Sequence, residues 1–423
     1  MSDYDSIDWF TDESLAKDPY PYFDHLRSKC PIQATAHRGV VAVTGYDEAS
    51  EIFRDPETFS ACLTVVGPFA KFLPLEGDDV SEIIEGHRHE LPQNEHMVTM
   101  DPPAHTRERA LLMRLITPKR LKENESFIRD LADQQLDQIV GLGRCEFISE
   151  YAQPLATLVI ADLLGVPEAD HDRLREGFGL MGGSTGDLRD EGSDYQLNSM
   201  EWLDDSFVGY IEDRRREPRD DVMTGLALAK YPDGSTPDIM AVVRTATFLF
   251  AAGQETTARM LAQALRYLAQ DPALQDELRA NPERVPNFIE ETLRIESPTK
   301  TDFRLARRAA TVAGVDIKGG TPVMLLLGAA NHDPRRFECP DEFRANRPNA
   351  KEHLAFGRGI HSCPGGPLAR AEGRISIERI LARTRNIRLS EDYHGPPSAR
   401  HFNYEPTWML RAMEDLQIEF DAA

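Results

Sequence analysis

The sequence predicts an α-rich fold with a small β part. Three observations lead there. Residues 238–270, DIMAVVRTATFLFAAGQETTARMLAQALRYLAQ, are apolar on most faces and too long for a strand, so they read as a buried central helix. Residues 105–164 keep helical spacing, with apolar positions such as Leu111, Leu112, Leu115 and Ile116. Strand-like stretches are short: GVVAVTG (39–45), TVAGVDI (311–317) and TPVMLLLG (321–328).

In chain order, two short helices, 18–29 and 46–54, flank the first strand-like stretch. From about Cys62 to Met97 periodicity is lost, and Gly, Pro, His and acids accumulate. A segment that long and irregular reads as a functional loop rather than a linker. Helical spacing resumes at 105 and continues past a Gly-rich break at 182–192, GGSTGDLRDEG. Pro237-Asp238 opens the central helix. Beyond Ala306 come short strand-like pieces and a Pro-rich stretch at 334–350. A glycine-rich loop then leads into a helix over 367–385, PLARAEGRISIERILARTR.

The 423 residues, 41% of them apolar, suffice for a sizeable core. Length alone would allow two or three domains. No Ser/Gly tract, long charge block or internal repeat marks a boundary, so one unit spanning 1–423 is expected. The net charge of −23 argues against nucleic acid and anionic membranes as main partners. Five scattered cysteines (Cys30, Cys62, Cys145, Cys339 and Cys363) include no CxxC pair and point to a reducing compartment. The acidic start, MSDYDSIDWFTDESL, lacks the basic and apolar regions of a secretory signal. No apolar run approaches the ~20 residues that span a bilayer. A soluble, cytoplasmic protein is expected.

Three motifs carry the chemistry. The first is FGRGIHSCPG, Phe356 to Gly365, with Cys363 in a Gly-rich loop just before a helix. Backbone N–H groups and a helix N-terminus favour negative charge, so this sulfur is placed to exist as thiolate. A thiolate is the haem ligand that favours O–O cleavage. A lone cysteine usually reads as a small buried hydrophobe, but that reading does not call for the surrounding Phe, Gly and His. The second motif, AGQETT, puts Gly253, Gln254, Glu255, Thr256 and Thr257 mid-way along an apolar helix, where polar groups need partners. The Thr256 hydroxyl is placed to bond back to the carbonyl of Ala252 and open a bend. The third is EETLRIESP (290–298), with Glu291 and Arg294 on one helix face.

Together and in this order, the motifs resemble those of the cytochromes P450, specifically the soluble bacterial, ferredoxin-dependent type. The likeness covers nearly the whole chain. It implies the helix-rich prism of that family around haem b, held between the central helix and the cysteine loop. Cys363 would be the axial ligand of the haem iron, with Phe356 and Gly357 in the loop against the haem. By family position His361, Arg304, His105 and Arg109 would meet the haem propionates; the last two lie in DPPAHTRER (101–109). Asp302 departs from the commoner neutral residue and would temper Arg304 or touch substrate. Glu291, Arg294 and Arg347, the last in RRFECPDEFRANRP (335–348), would form a structural ion network.

The activity so implied is that of a monooxygenase: one atom of O2 enters a small, largely apolar organic substrate. Thr256 would position O2 and a proton-donating water, and Glu255 would relay protons from solvent. Pro364, directly after the cysteine, has no N–H to offer the sulfur, which should lower the iron potential. The chain carries no flavin or iron–sulfur motif, so electrons would come from a ferredoxin and its NAD(P)H-dependent reductase. Arg107, Arg358, Arg370 and Arg374 are candidates for a cationic dock, Arg358 foremost. Phe248, Ala251, Ala252, Pro298, Thr299 and Lys300 are candidate substrate contacts, with 62–98 and 180–195 as lid. The chain is expected to act as a monomer. Two other readings are a peroxide-driven peroxygenase and a non-catalytic haem-binding or sensor protein; the Glu255-Thr256 pair disfavours both.

Overall fold

The computed structural model describes residues 4–171, 173 and 201–423. Helices dominate it. The central helix, Ile239–Gln270, runs unbroken. Asp238 caps its start by accepting from the Met240 N–H, and the residue before it is the proline that marked the boundary. Packed on it are Gln153–Leu164, Glu201–Arg216 and the cysteine helix, Gly366–Arg383. The largest apolar cluster gathers their inner faces, with Phe207, Phe250, Leu261, Ile375 and Ile377 fully buried. No helix among the described residues is long and apolar enough to cross a membrane.

The β part is a five-stranded sheet in the order Ile32–Ala34, Val41–Val43, Pro322–Leu326, Thr301–Ala306, Phe59–Ser60. Only the Val41–Val43 with Pro322–Leu326 pairing is parallel. A three-stranded sheet joins Arg144–Glu146, Gln417–Ala422 and Thr384–Leu389, and a small hairpin joins Ala310–Val312 to Val315–Ile317.

Several sequence expectations change in detail. Residues 105–164 are not one helical stretch: Ala104–Leu112 and Pro118–Ile139 are followed by a strand and a π-turn at Ile148–Ala152 before helix resumes. The irregular stretch after Cys62 holds short helical pieces, the longest Ser81–His87. Strand structure begins at Thr301, ahead of Ala306. TDFRLA hides it, because Asp302 and Arg304 look out of place in a strand until their cavity is seen. The Gly-rich break at 182–192 and the lid segment 180–195 lie outside the described residues.

Glu291, Arg294 and Arg347 form a closed buried network. Arg294 donates Nε and Nη2 to the two Glu291 oxygens at 2.8 Å, and Arg347 donates Nε to the same carboxylate at 2.9 and 3.0 Å. The remaining guanidinium N–H groups end on backbone carbonyls of Asn331, Glu338, Cys339, Pro340 and Glu342. The network ties helix Val285–Ile295 to the Pro-rich segment that leads into the cysteine loop.

Candidate active site

The cysteine loop is held by its own backbone. The Cys363 N–H donates to the Phe356 carbonyl at 2.8 Å, closing the loop. Gly357 and Gly359 take positive φ, 61° and 68°. At Gly359 a Cβ would stand 2.2 Å from the Phe53 carbonyl oxygen, so no other residue fits there. Phe356 packs under the Arg370 guanidinium, 4.5 Å from its ring centre.

Cys363 is exposed, yet it lies deep in the fold: its free surface faces an interior cavity of about 290 Å³. Across that cavity lies the middle of the central helix, with Phe248, Leu249, Ala252, Gly253 and Thr256 in its wall. The backbone N–H groups of Gly365 and Gly366 point at the sulfur, as a helix start after the cysteine requires. Burial nonetheless outweighs these donors and Arg109, so the thiol's pKa is raised. The helix end alone therefore does not make the thiolate.

Thr256 donates its hydroxyl to the Ala252 carbonyl at 3.0 Å, the back-bond expected from the sequence, and the helix stays α-helical through it. Glu255 does not line the cavity. Its half-exposed side chain pairs with Arg259, which also reaches Glu405 at 3.4 Å. Gln254 is buried and accepts from the Thr157 hydroxyl at 2.9 Å, fastening the central helix to Gln153–Leu164.

On another wall stand the four groups expected to meet anionic side chains of a cofactor. Arg109, Arg304 and His361 line the cavity, and the His105 ring lies 4.1 Å from that of His361. Among the described residues, both ring nitrogens of His105 and Nε2 of His361 are buried without a partner. Burial first, then neighbouring arginines, hold His361 down at about 2 and His105 at about 4. Arg304 donates to Asp302 at 2.9 Å and to the Thr64 hydroxyl at 3.0 Å, so Asp302 does temper it. Two cations and two orphaned imidazoles beside a large apolar cavity fit a flat apolar group bearing carboxylates.

Lys300 and Ala251 do not stand where the sequence reading places them. Lys300 turns away from the cavity: its ammonium donates to the Thr407 carbonyl at 2.6 Å and sits 5.3 Å from the Trp9 ring centre. Complete burial pushes its pKa well below the ordinary lysine value. Thr299 and Pro298 do line the cavity, whereas Ala251 does not. The four arginines of the proposed dock are all engaged within the protein. Arg358 donates to Tyr46 Oη and the Glu352 carbonyl, Arg370 pairs with Glu290, Arg374 pairs with Glu125 and Glu378, and Arg107 stacks on Tyr231. Each has a neighbour that the linear sequence does not place beside it.

Sequence reasoning also missed Glu372. It lines the cavity from the cysteine helix, fully buried, with Oε2 unpartnered among the described residues. Burial alone pushes its pKa well above the carboxylate range. The signal was present: Leu368, Glu372 and Ile375 lie three or four apart on one buried face of the cysteine helix.

A family model for cytochrome P450 matches residues 196–386. The chain is 34% identical over 422 residues to cytochrome P450 144 of Mycobacterium tuberculosis, covering 98% of this chain and 91% of that one. It is 32% identical to the biotin biosynthesis cytochrome P450 of Bacillus subtilis, covering 96% and 97%. The chain belongs to the cytochrome P450 family. It is thus a P450 monooxygenase, a haem-binding oxidoreductase. Among solved structures, this P450 is similar to CYP150A6 of Mycobacterium marinum in its substrate-free form: TM-score 0.93, 57% identity, coverage 99% and 100%. It is also similar to CYP109E1 of Bacillus megaterium in complex with testosterone, with TM-score 0.79, 27% identity and coverage 95% and 99%.

Proposed function

We propose that this P450 inserts one oxygen atom of O2 into a small, largely apolar, lipid-like or terpenoid substrate bound in the cavity between Cys363 and Thr256. The observation that carries the reading is that one apolar cavity joins the only exposed-inward thiol of the described residues to the Thr256 hydroxyl. The haem, when bound, supplies the redox-active iron at which O2 is activated. Cys363 would give the iron its thiolate, with the Gly365 and Gly366 N–H groups steadying the charge. His105, His361, Arg109 and Arg304 would hold the propionates, with Phe356 and Gly357 shaping the loop beneath.

Thr256 lines the cavity and its hydroxyl oxygen, while donating to the Ala252 carbonyl, can still accept from a water held there. Glu255 stands one residue away, half in solvent, and hands protons inward by leaving Arg259. Phe248, Leu249, Leu293 and Pro298 keep other water out. The steroid carried by one structural relative supports an extended apolar substrate. Electrons come from an external ferredoxin and its reductase.

The test is reconstitution with a ferredoxin, its reductase and NADH, against hydrogen peroxide alone, over a panel of steroids and terpenoids. Turnover in the first arm supports the reading. Turnover confined to the peroxide arm would make the protein a peroxygenase instead.

A further inference from the structure

Beside the large cavity lies a second, much smaller space. It is lined by Glu95, His96, Met97, Glu108, Leu112, Ala241, Arg244, Thr245 and Phe248, and its volume is about 10 Å³. Met97, Leu112 and Phe248 are walls of both spaces, so the niche adjoins the substrate cavity. His96 is 3% exposed, and neither ring nitrogen has a partner among the described residues. Slack does not explain this. The His96 N–H donates to the Gln93 carbonyl at 2.9 Å, and its own carbonyl accepts from the Thr99 N–H and hydroxyl at 3.2 and 3.1 Å. The ring is set 6.1 Å from Phe248 by a pinned turn.

A buried imidazole with both nitrogens unmet is costly, so a ligand atom or a water must meet it. We infer that His96 binds a neutral oxygen function, a hydroxyl or a ketone, at the end of an apolar substrate remote from the site of oxidation. The inference rests on the reading of the large cavity as the haem and substrate site. Size supports it, because a niche of about 10 Å³ admits one oxygen and not a ring. Charge supports it too. A carboxylate there would face Glu95 and Glu108, and Arg244 is already engaged by Glu95 at 2.5 Å. Thr245 spends its hydroxyl proton on the Ala241 carbonyl at 2.8 Å, so His96 is the remaining neutral donor of the niche. Burial and Arg244 hold its imidazole at about 4, hence uncharged at neutral pH, with one donor and one acceptor to offer.

The experiment uses the haem-loaded protein and two matched series, 1-alkylimidazoles and 1-(ω-hydroxyalkyl)imidazoles of increasing chain length. The azole anchors each probe at the iron and reports binding through the Soret band. In the unaltered protein, the ratio of alkyl to hydroxyalkyl Kd should peak at one chain length, by about tenfold, the scale of one hydrogen bond in a dry site. His96→Phe keeps a ring but removes both nitrogens, and the peak should vanish while alkyl affinities stay put. His96→Gln should restore part of it. A flat ratio in the unaltered protein, or a peak that survives in His96→Phe, overturns the inference and means that His96 holds only a structural water. Failure of the azoles to reach the iron at all would instead overturn the underlying assignment of the large cavity.

Discussion

Two buried polar clusters of this P450 are built from similar residues and end in opposite states. In the Glu291–Arg294–Arg347 cluster, every side-chain nitrogen and oxygen is spent inside the protein. Around the cavity, His105, His361 and Glu372 keep polar atoms that no described residue meets. Buried polar groups are almost always satisfied. The first cluster is therefore complete as fold, and the second is complete only with something bound. The contrast separates residues that hold the protein up from residues that hold its ligands.

The contrast can be broken most sharply at the closed cluster. Arg294→Met leaves Glu291 and Arg347 with a broken network at full burial, which should cost ~3–5 kcal/mol of stability. Urea denaturation would show it, along with poor recovery of folded, haem-containing protein; a loss under ~1 kcal/mol would mean the network is dispensable. At the open cluster the prediction reverses. His361→Phe should barely change unfolding of the polypeptide, yet haem should leave about tenfold faster to an acceptor apoprotein, the scale of one hydrogen bond to a charged group. Equal damage to both properties would erase the distinction.

Two smaller effects sharpen the account of the cavity. Thr256→Ala should retain haem and consume NADH, but release more of it as peroxide and less as product. Normal product per NADH would remove Thr256 from proton handling. Pro364→Leu adds an N–H directly after Cys363, beside the donors from Gly365 and Gly366, and should raise the haem potential. Potentiometric titration decides this, and an unchanged or lower potential counts against it.

Much of this was legible before any coordinates. The cysteine loop, the central helix and the Glu-x-x-Arg pair are local patterns, and their ends are marked by Pro237, Asp238 and the glycines. Even the Thr256 back-bond follows from a hydroxyl four residues after a carbonyl. What could not be read depends on contacts far apart in the chain. Lys300 faces Thr407 because residues 298–301 bond to 408–411, a pairing that no local pattern announces. The arginines of the supposed dock are engaged by Glu125, Glu290, Tyr46 and Tyr231, all distant in sequence. His96 sits in a stretch without periodicity, so its burial was invisible. Glu372 follows Leu368 by four residues on the cysteine helix, an acid at a core-facing position.

The central claim is that Cys363 is a thiolate ligand to haem iron, and the most direct test is the carbon monoxide difference spectrum of the dithionite-reduced protein. The account predicts a strongly red-shifted Soret band that Cys363→Ser abolishes. A band like that of histidine-ligated haem, or one that Cys363→Ser leaves unchanged, would contradict it.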